Sequence, residues 1–348
     1  MKQEKEITIY DIARQLNISA TTVSRGLQDN PAINKLTRKK IIEKAAELGY
    51  RSNSFASSLR SKKTNTLGVL VPRLNSYFMA SVISGMEDVA NKKGYNLIIS
   101  QSQEKSTKEA ANAHTMFNKR VDGLLVSLAY ETDNIDHFAS FFRKGIPVVF
   151  FDRVFPHKDS TSIVIDNFRA AYEVTKHLID EGCRRIMLLG GNMLRNVYSD
   201  RLNGYKQALK DHKIPFNEKL VNVSNLTEAD GTNAAELILK MKLKERPDAV
   251  FASNDTAAVH CMIHLKAAGI QIPGDIAFAG FNNDPISTIV EPNLTTVNYP
   301  GYNIGEMAVT NLINHLSGQD NVKNTNTIVL RSDLIIRASS KKQQTNNL

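Results

Sequence analysis

The 348-residue chain has only two cysteines, Cys183 and Cys261, far apart and outside any metal-ligand spacing. That argues against a disulfide framework and a zinc site and leaves buried free thiols. The first six residues, Met1-Lys2-Gln3-Glu4-Lys5-Glu6, carry charge where a leader would be apolar, and no run approaches the roughly 18 apolar residues of a membrane helix. The expectation is a cytoplasmic protein that engages no membrane. No G-x-G-x-x-G opens a helix; Gly190-Gly191 after a predicted strand is too little. No nucleophile stands with a base and an orienter, and His114, His137 and His260 are scattered on predicted helices without partners. These absences speak against a nucleotide-dependent enzyme, and no cofactor or metal is expected. The segment after Arg337 lacks apolar heptads, which argues against a coiled-coil tetramerisation segment, and residues 341–348 predict a disordered tail.

What is present is unevenly distributed. The net charge is +9, yet residues 1–63 hold 13 Lys and Arg against 6 Asp and Glu, while the remainder holds 31 against 29. A basic segment on a nearly neutral body suits nucleic-acid binding, because lysine and arginine displace counterions from phosphates; a solvated basic surface carries the same charge. The basic segment also has a pattern. Residues Thr8 to Leu27 predict two short helices around a three-residue turn. Thr8 with Asp11 three residues on comes close to a capping box, and Ile12, Leu16, Val23 and Leu27 make the stripe that packs the helices together. Ala13 permits their close approach, Asn17 takes a left-handed turn, and Ser19 caps the second helix. This is a helix-turn-helix, with Ala20, Thr21 and Arg25 as candidate base readers. A third helix, capped by Asn34 with Leu36, Ile41, Ala45 and Leu48 inward and Gly49 past its end, closes the unit near Tyr50. Residues 51–63 then read as a polar, basic linker. A helix at 54–60 is shorter than the roughly 12 residues that stand alone in water, so it depends on a partner.

From Leu67 onward short apolar runs alternate with helical segments. Residues 67–71, 96–99, 123–126, 148–151, 186–189, 249–252 and 276–279 predict buried parallel strands. Seven such units exceed one comfortable sheet, so the expectation is a two-lobed α/β core that binds its ligand in the cleft, beyond the carboxyl ends of the strands. Tyr77 and Phe78 follow the first strand. They suit either an apolar wall for a sugar face or ordinary core packing.

The ordered motifs resemble the LacI/GalR family of bacterial transcription regulators, from Thr8 to about Arg337. They are Thr21-Thr22-Val23-Ser24-Arg25, Ala45-Ala46-Glu47-Leu48-Gly49-Tyr50, Ala56 with Ser58 and Leu59, Val121-Asp122-Gly123, Phe151-Asp152-Arg153, Asp200-Arg201-Leu202-Asn203-Gly204-Tyr205, Ser253-Asn254-Asp255 and Leu294-Thr295-Thr296-Val297. The resemblance implies a homodimeric repressor on a pseudo-palindromic operator of double-stranded DNA, controlled by a small effector (a sugar, sugar acid or sugar phosphate) in a core like that of periplasmic binding proteins. It implies an all-α headpiece at 1–50, a hinge at 51–63 and a core at 64–340. Within the core, lobe 1 takes 64–161 and 297–323, and lobe 2 takes 162–296 and 324–340. A solute-binding protein of a transport system shares such a core, but it calls for a signal peptide and no headpiece.

The resemblance also distributes roles. Arg25 is expected to read guanine, Thr21 a base edge or phosphate, and Ala20 either a thymine methyl or nothing, as a spacer. Ser19, Thr22, Ser24, Asn34 and Tyr50 are expected on phosphates, with Thr8 and Tyr10 as additions. Ala56 and Leu59 belong to the hinge, Leu59 as a wedge between base pairs. Ser52 and Ser57 depart from the usual proline and arginine there. In the cleft the resemblance implies Arg201 and Asn254, then Ser127, Asp152, Arg195, Leu226 and Asn282 on other loops of the same rim. Asp255 is read as a helix cap. Arg195 with Arg201 fits an acidic or phosphorylated effector, an exposed Arg195 being the other reading. Asn282, in Phe281-Asn282-Asn283, replaces a usual carboxylate.

Overall fold

The computed structural model describes residues 7–50, 63–319 and 327–341. The hinge positions Ala56 and Leu59 and residues 342–348 lie outside the described residues. The chain divides into two compact units, Met1–Thr64 and Asn65–Leu348.

The first unit consists of helices α1 (Ile9–Leu16), α2 (Ala20–Leu27) and α3 (Lys35–Glu47). Its local chemistry follows the sequence. The Thr8 amide and hydroxyl both donate to Asp11 Oδ2, at 2.9 and 2.7 Å. Asn17 takes a left-handed backbone with φ of 54°, and Ser19 Oγ accepts the Thr22 amide at 3.1 Å. Ile12, Ala13, Val23, Ile41 and Ala45 form the buried centre, with Leu16, Leu27 and Leu48 packed against it. Gly26 seats Ile41, whose Cδ1 lies 2.5 Å from where a Cβ would stand. Leu36 departs from expectation: it is 72% exposed. The buried positions of α3 are Ile41 and Ala45, and a residue five before Ile41 falls about 140° around the helix from it.

The second unit is α/β. In chain order it contains β1 (Thr66–Val71), α4 (Tyr77–Lys92), β2 (Asn96–Gln101), α5 (Ser106–Asn118), β3 (Gly123–Val126), α6 (Ala139–Lys144), β4 (Val148–Phe151), β5 (Ser160–Ile165) and α7 (Asn167–Asp180). It continues through β6 (Ile186–Gly190), α8 (Asn196–Asp211), β7 (Val221–Val223), α9 (Glu228–Lys240), β8 (Ala249–Ala252), α10 (Asp255–Ala267), β9 (Ala277–Ala279) and α11 (Ile286–Ile289). It ends with β10 (Thr296–Asn298), α12 (Gly301–Leu316), β11 (Thr327–Leu330) and β12 (Asp333–Ile335). Two wholly parallel sheets result, ordered β11-β5-β4-β3-β1-β2 and β7-β6-β8-β9, together with an antiparallel β10-β12 pair. The seven apolar runs all became strands. They are buried almost throughout except at edge strand β2, as sheets covered by helices on both faces require. Both cysteines are buried, and neither forms a disulfide.

The lobe boundaries differ from those expected. Ser160–Ile165 lies wholly in the first sheet, and Thr327–Leu330 joins it too, pairing with β5. The first lobe therefore keeps residues beyond 161 and regains residues after 324. Ser-Thr-Ser opens β5, so its burial is invisible to an apolar-run reading, and β11 owes its place to a partner strand far away in sequence. The end of the described chain returns to the second lobe: the Phe278 amide donates to the Ser339 carbonyl at 2.8 Å, and Ser339 Oγ donates to the Phe278 carbonyl at 2.7 Å.

In the first lobe α4 and α12 cross closely because each gives a glycine to the contact. A Cβ on Gly85 would strike the Tyr302 carbonyl, and one on Gly305 would strike the Val82 carbonyl. Backbone atoms cannot yield as a flexible side chain does. Gly305→Val is expected to destabilise the core unit by about 1–3 kcal/mol, read as a lower urea midpoint with unchanged slope.

Candidate functional site

On the first unit, α2 carries an outward surface. Thr21 and Arg25, one helical turn apart, are exposed. Ala20 is half-buried and packs against the unit's core. Ser19 and Thr22 pair through their hydroxyls at 2.8 Å, and Ser24 is half-buried. Tyr10 is 67% exposed. Thr8 is exposed and engaged with Asp11, and Asn34 Oδ1 accepts the Leu36 amide at 2.8 Å as the cap of α3. Tyr50 packs against the core. The helix thus presents a cation and a hydroxyl one turn apart on its outward face.

In the second unit a cavity of about 730 Å³ opens between the lobes, lined by the loops that follow the parallel strands. Tyr77, Phe78, Asp152, Arg201, Leu226, Asn254 and Asn282 all line it. Three of these adopt left-handed backbone without being glycine: Asp152 at φ 58°, Leu226 at φ 57° and Asn282 at φ 112°. Such conformations cost of order 1–3 kcal/mol and gather where a side chain must be aimed.

Arg201 is buried on α8. Its Nε donates to Asn167 Oδ1 at 2.9 Å and its Nη1 to the Ser253 carbonyl at 2.7 Å. Its guanidinium lies 3.5 Å from the Phe281 ring centre. Burial lowers its pKa. Asp152 accepts from the Tyr299 hydroxyl at 2.9 Å and from Ser127 Oγ at 3.1 Å.

Ser127 and Arg195, expected on the rim, do not line the cavity. Ser127 is buried behind Asp152, which it steadies. Arg195 is buried and reaches across to the Thr132 carbonyl, so it belongs to the contact between the lobes. The capping role expected of Asp255 falls to Asn254, which lines the cavity as well. Asn254 Oδ1 accepts the Ala257 amide at 2.9 Å as the cap of α10, and its Nδ2 donates to the Leu226 carbonyl at 2.8 Å. Asp255 is fully buried behind it. The histidines have partners after all: His137 Nε2 meets Glu109 at 2.9 Å, His260 lies 3.7 Å from Glu228, and Asn118 meets His114 at 3.2 Å.

Sequence reasoning missed Glu104, Tyr130, Arg153, Tyr198 and Tyr299, all of which line the cavity. Arg153 donates to Glu104 at 2.8 Å and to the Tyr198 hydroxyl at 3.3 Å, with its guanidinium 4.2 Å from the Tyr130 ring centre. The Tyr130 and Tyr198 hydroxyls meet at 2.9 Å. Tyr130 follows β3 in the first lobe and Tyr198 lies on α8 in the second, so this is a bond between lobes. Others flank it: Asn192 Nδ2 donates to the Tyr130 carbonyl at 3.2 Å, and Asn196 takes the Val154 amide at 2.9 Å while donating to the Asp152 carbonyl at 3.1 Å. Arg153 in the Phe151-Asp152-Arg153 motif was the one signal available for this group. No cluster suited to a metal occurs among the described residues, nor is any described helix long and apolar enough to cross a membrane.

Comparison with known proteins agrees with this arrangement. Residues 8–53 match the bacterial regulatory proteins of the lacI family, and residues 175–340 match the periplasmic binding protein-like domain. Catabolite control protein A of Priestia megaterium is 33% identical over 312 residues, covering 89% of this chain and 93% of its own length. The ribose operon repressor of Haemophilus influenzae is 31% identical over 332 residues, covering 95% and 98%. Among solved structures, the transcription regulator CcpA of Lactococcus lactis superposes with a TM-score of 0.72 at 30% identity, over 79% of this chain and 99% of that one. The Lac repressor dimer bound to operator and the anti-inducer ONPF shares the fold, with a TM-score of 0.84 at 22% identity over 97% and 99%.

Two carboxyl groups meet at the cavity wall, Asp284 in the lining and Asp255 behind it. Asp255 Oδ1 meets Thr296 Oγ1 at 2.6 Å, and its Oδ2 accepts the Asp284 amide at 2.7 Å. Burial pushes the Asp255 carboxyl up to about 8 and Asp284 up to about 6. The folded chain therefore holds the Asp255 proton up to about pH 8, whereas the unfolded chain releases it near 3.8. The stability contributed by this group is full at acid pH and is lost as pH rises through 8. An amide satisfies the same two partners without a charge, one end donating to Thr296 and the other accepting from Asp284. Asp255→Asn is expected to flatten the decline in stability between pH 5 and 8, measured by denaturation at each pH, and to gain most over the parent at the alkaline end.

Proposed function

The chain belongs to the lacI family of bacterial regulatory proteins, and from that premise we propose that it is a dimeric transcriptional repressor whose hold on a pseudo-palindromic operator is set by a small effector, a sugar or sugar derivative, in the interlobe cavity. The observation that carries this reading is the union, on one chain, of a helix-turn-helix displaying Thr21 and Arg25 with a two-lobed core whose strand ends surround a polar cavity. We assign residues 1–50 to the headpiece, 51–63 to the hinge and 64–340 to the effector and dimerisation core. The protein acts in the cytoplasm, as a regulator and not an enzyme.

Arg25 reads a guanine edge, and Thr21 and Ala20 lie beside it. Thr8, Tyr10, Ser19, Thr22, Ser24, Asn34 and Tyr50 set the helix on phosphates, and Ala56 and Leu59 engage the central base pairs. In the cavity Arg201, Asp152 and Asn282 meet the effector directly, with Tyr77, Phe78, Leu226 and Asn254 around them. Effector binding works against or with the hydrogen bonds that join the lobes, so occupancy alters the lobe angle and the spacing of the two hinges in the dimer. The required coupling is modest, about 1–3 kcal/mol.

Selection of bound fragments from a random duplex library tests the reading: a pseudo-palindrome is expected to emerge, and enrichment of no sequence would falsify it. On that operator Arg25→Ala is expected to cost about 1–3 kcal/mol of discrimination while leaving binding to random DNA within a few-fold. Arg201→Ala is expected to keep operator affinity and lose the response to effector in the same titration.

A further inference from the structure

Two of the segments that cross between the lobes meet at the cavity wall, and one loop ties them together. Residues 280–284, between β9 and α11, are laced to the segment that runs through β10 into α12. The Gly280 amide donates to the Thr295 carbonyl at 2.8 Å, the Asn282 amide to the Val297 carbonyl at 3.0 Å and the Tyr299 amide to the Asn282 carbonyl at 3.4 Å. Tyr299 in turn reaches the first lobe, its hydroxyl donating to Asp152. The returning segment, β12, pairs with β10 and leads to Arg337, whose Nη2 donates to Asn283 Oδ1 at 2.7 Å. A change of lobe angle is therefore absorbed at or beside this loop.

One acid holds the loop from outside and another is carried on it. Asn282 and Asn283 both take left-handed backbone, at φ 112° and 58°, and such conformations persist only where the surroundings fix them. Thr296 Oγ1 accepts the Asn283 amide at 3.2 Å, and Asp255 Oδ2 accepts the Asp284 amide at 2.7 Å. Asp284 is thereby placed in the cavity lining, yet it is only 8% exposed, and its Oδ1 is buried without a hydrogen-bond partner. Its Oδ2 has Asn282 Nδ2 at 3.5 Å. As a carboxylate this group is a buried charge with an unanswered oxygen; as an acid it carries no charge. The surrounding cations are engaged elsewhere. Arg337 donates to Ser287, Asn283 and the Leu294 carbonyl, Arg201 to Asn167 and the Ser253 carbonyl, and His260 of the lining stands 3.7 Å from a third acid, Glu228. Burial, the largest influence, raises both carboxyls, although Thr296 and Arg337 pull Asp255 down and Asn282 pulls Asp284 down.

We propose that Asp284 makes the lobe angle sensitive to protons: carrying its proton it lets the lobes stay together, and losing it drives them apart. The cavity lies between the lobes, so parting them brings water to its wall and hydrates the carboxylate. With the lobes together, burial holds the Asp284 proton up to about pH 6, whereas a hydrated carboxyl releases it near 3.8. Opening between those values therefore releases a proton. The advantage this group gives to the closed arrangement is full below about pH 4 and is lost as pH rises through 6. Asp255, fully buried behind the loop, is not uncovered by opening and adds no such dependence. Under the proposed function, on which the link to the operator rests, the regulator answers acidity as well as its effector.

Hydrogen exchange on the full chain tests this without operator or effector, so its failure is distinct from failure of the repressor reading. The Val154 amide donates to Asn196 Oδ1 across the lobes at 2.9 Å, and its protection reports how often they part. After correction for the intrinsic pH dependence of exchange, protection of the peptide containing Val154 is expected to fall about fivefold between about pH 5 and pH 6.5 in the parent. In Asp284→Asn, which keeps the shape without a titrating group, protection is expected to stay level over the same range. Asp284→Ser, smaller and also uncharged, is expected to do the same and serves where the amide disturbs folding. A fall of the parent's size in these variants, or a level profile in the parent, overturns the proposal.

Discussion

The ion pair of Arg153 with Glu104 is the interaction on which the interlobe architecture depends. Both side chains are largely buried, and a guanidinium withdrawn from water without a carboxylate costs several kcal/mol. With the pair made, Arg153 is free to lie over the Tyr130 ring and to donate to the Tyr198 hydroxyl. Glu104 also accepts the Tyr130 amide at 3.0 Å, so one carboxylate positions both partners of the cross-lobe tyrosine contact. Glu109, buried nearby, does the same for the rest of that loop: it accepts from the Ala129 amide and the Thr132 hydroxyl and meets His137.

This arrangement has a consequence for switching. Two buried carboxylates organise the loop after β3, and it presents the Tyr130 and Thr132 carbonyls and the Tyr130 hydroxyl to the opposite lobe. The groups that answer it, Asn192, Arg195 and Tyr198, cluster at the start of α8, the helix that also carries Arg201. Under the proposed function, a ligand that engages Arg201 acts on the helix that holds the lobes together. Side chains belonging to both the cavity and the lobe contact, Tyr130 and Tyr198 above all, are where occupancy and lobe angle become one variable.

Much of the architecture was legible along the chain. The helix-turn-helix was readable down to its caps because capping, turn chemistry and helical stripes act over three or four residues. The seven apolar strands were readable because parallel sheets covered on both faces demand continuous apolar runs. Strand β5 escapes such a reading because its buried hydroxyls at Ser160 and Thr161 look polar in sequence, and Leu36 reads as inward because an apolar residue near a helix start does not disclose which way it faces. In the cavity, position after the first strand singled out Tyr77, and the family resemblance implied Asp152, Arg201 and Asn282. Neither could separate Arg195, which turns away to the other lobe, from Arg153, which turns in.

The sequence by itself determined what local rules govern: the elements, their caps, the basic headpiece, and the loops on which functional side chains stand. Only the tertiary structure decided which of those side chains are spent on one another. Glu104 shared between two arginines, Asn254 donating to the Leu226 carbonyl, and the tyrosine pair joining the lobes all link residues 28 to 68 positions apart. Buried charges and hydrogen-bonding groups must find partners wherever the fold brings them, and no periodicity along the chain records that choice.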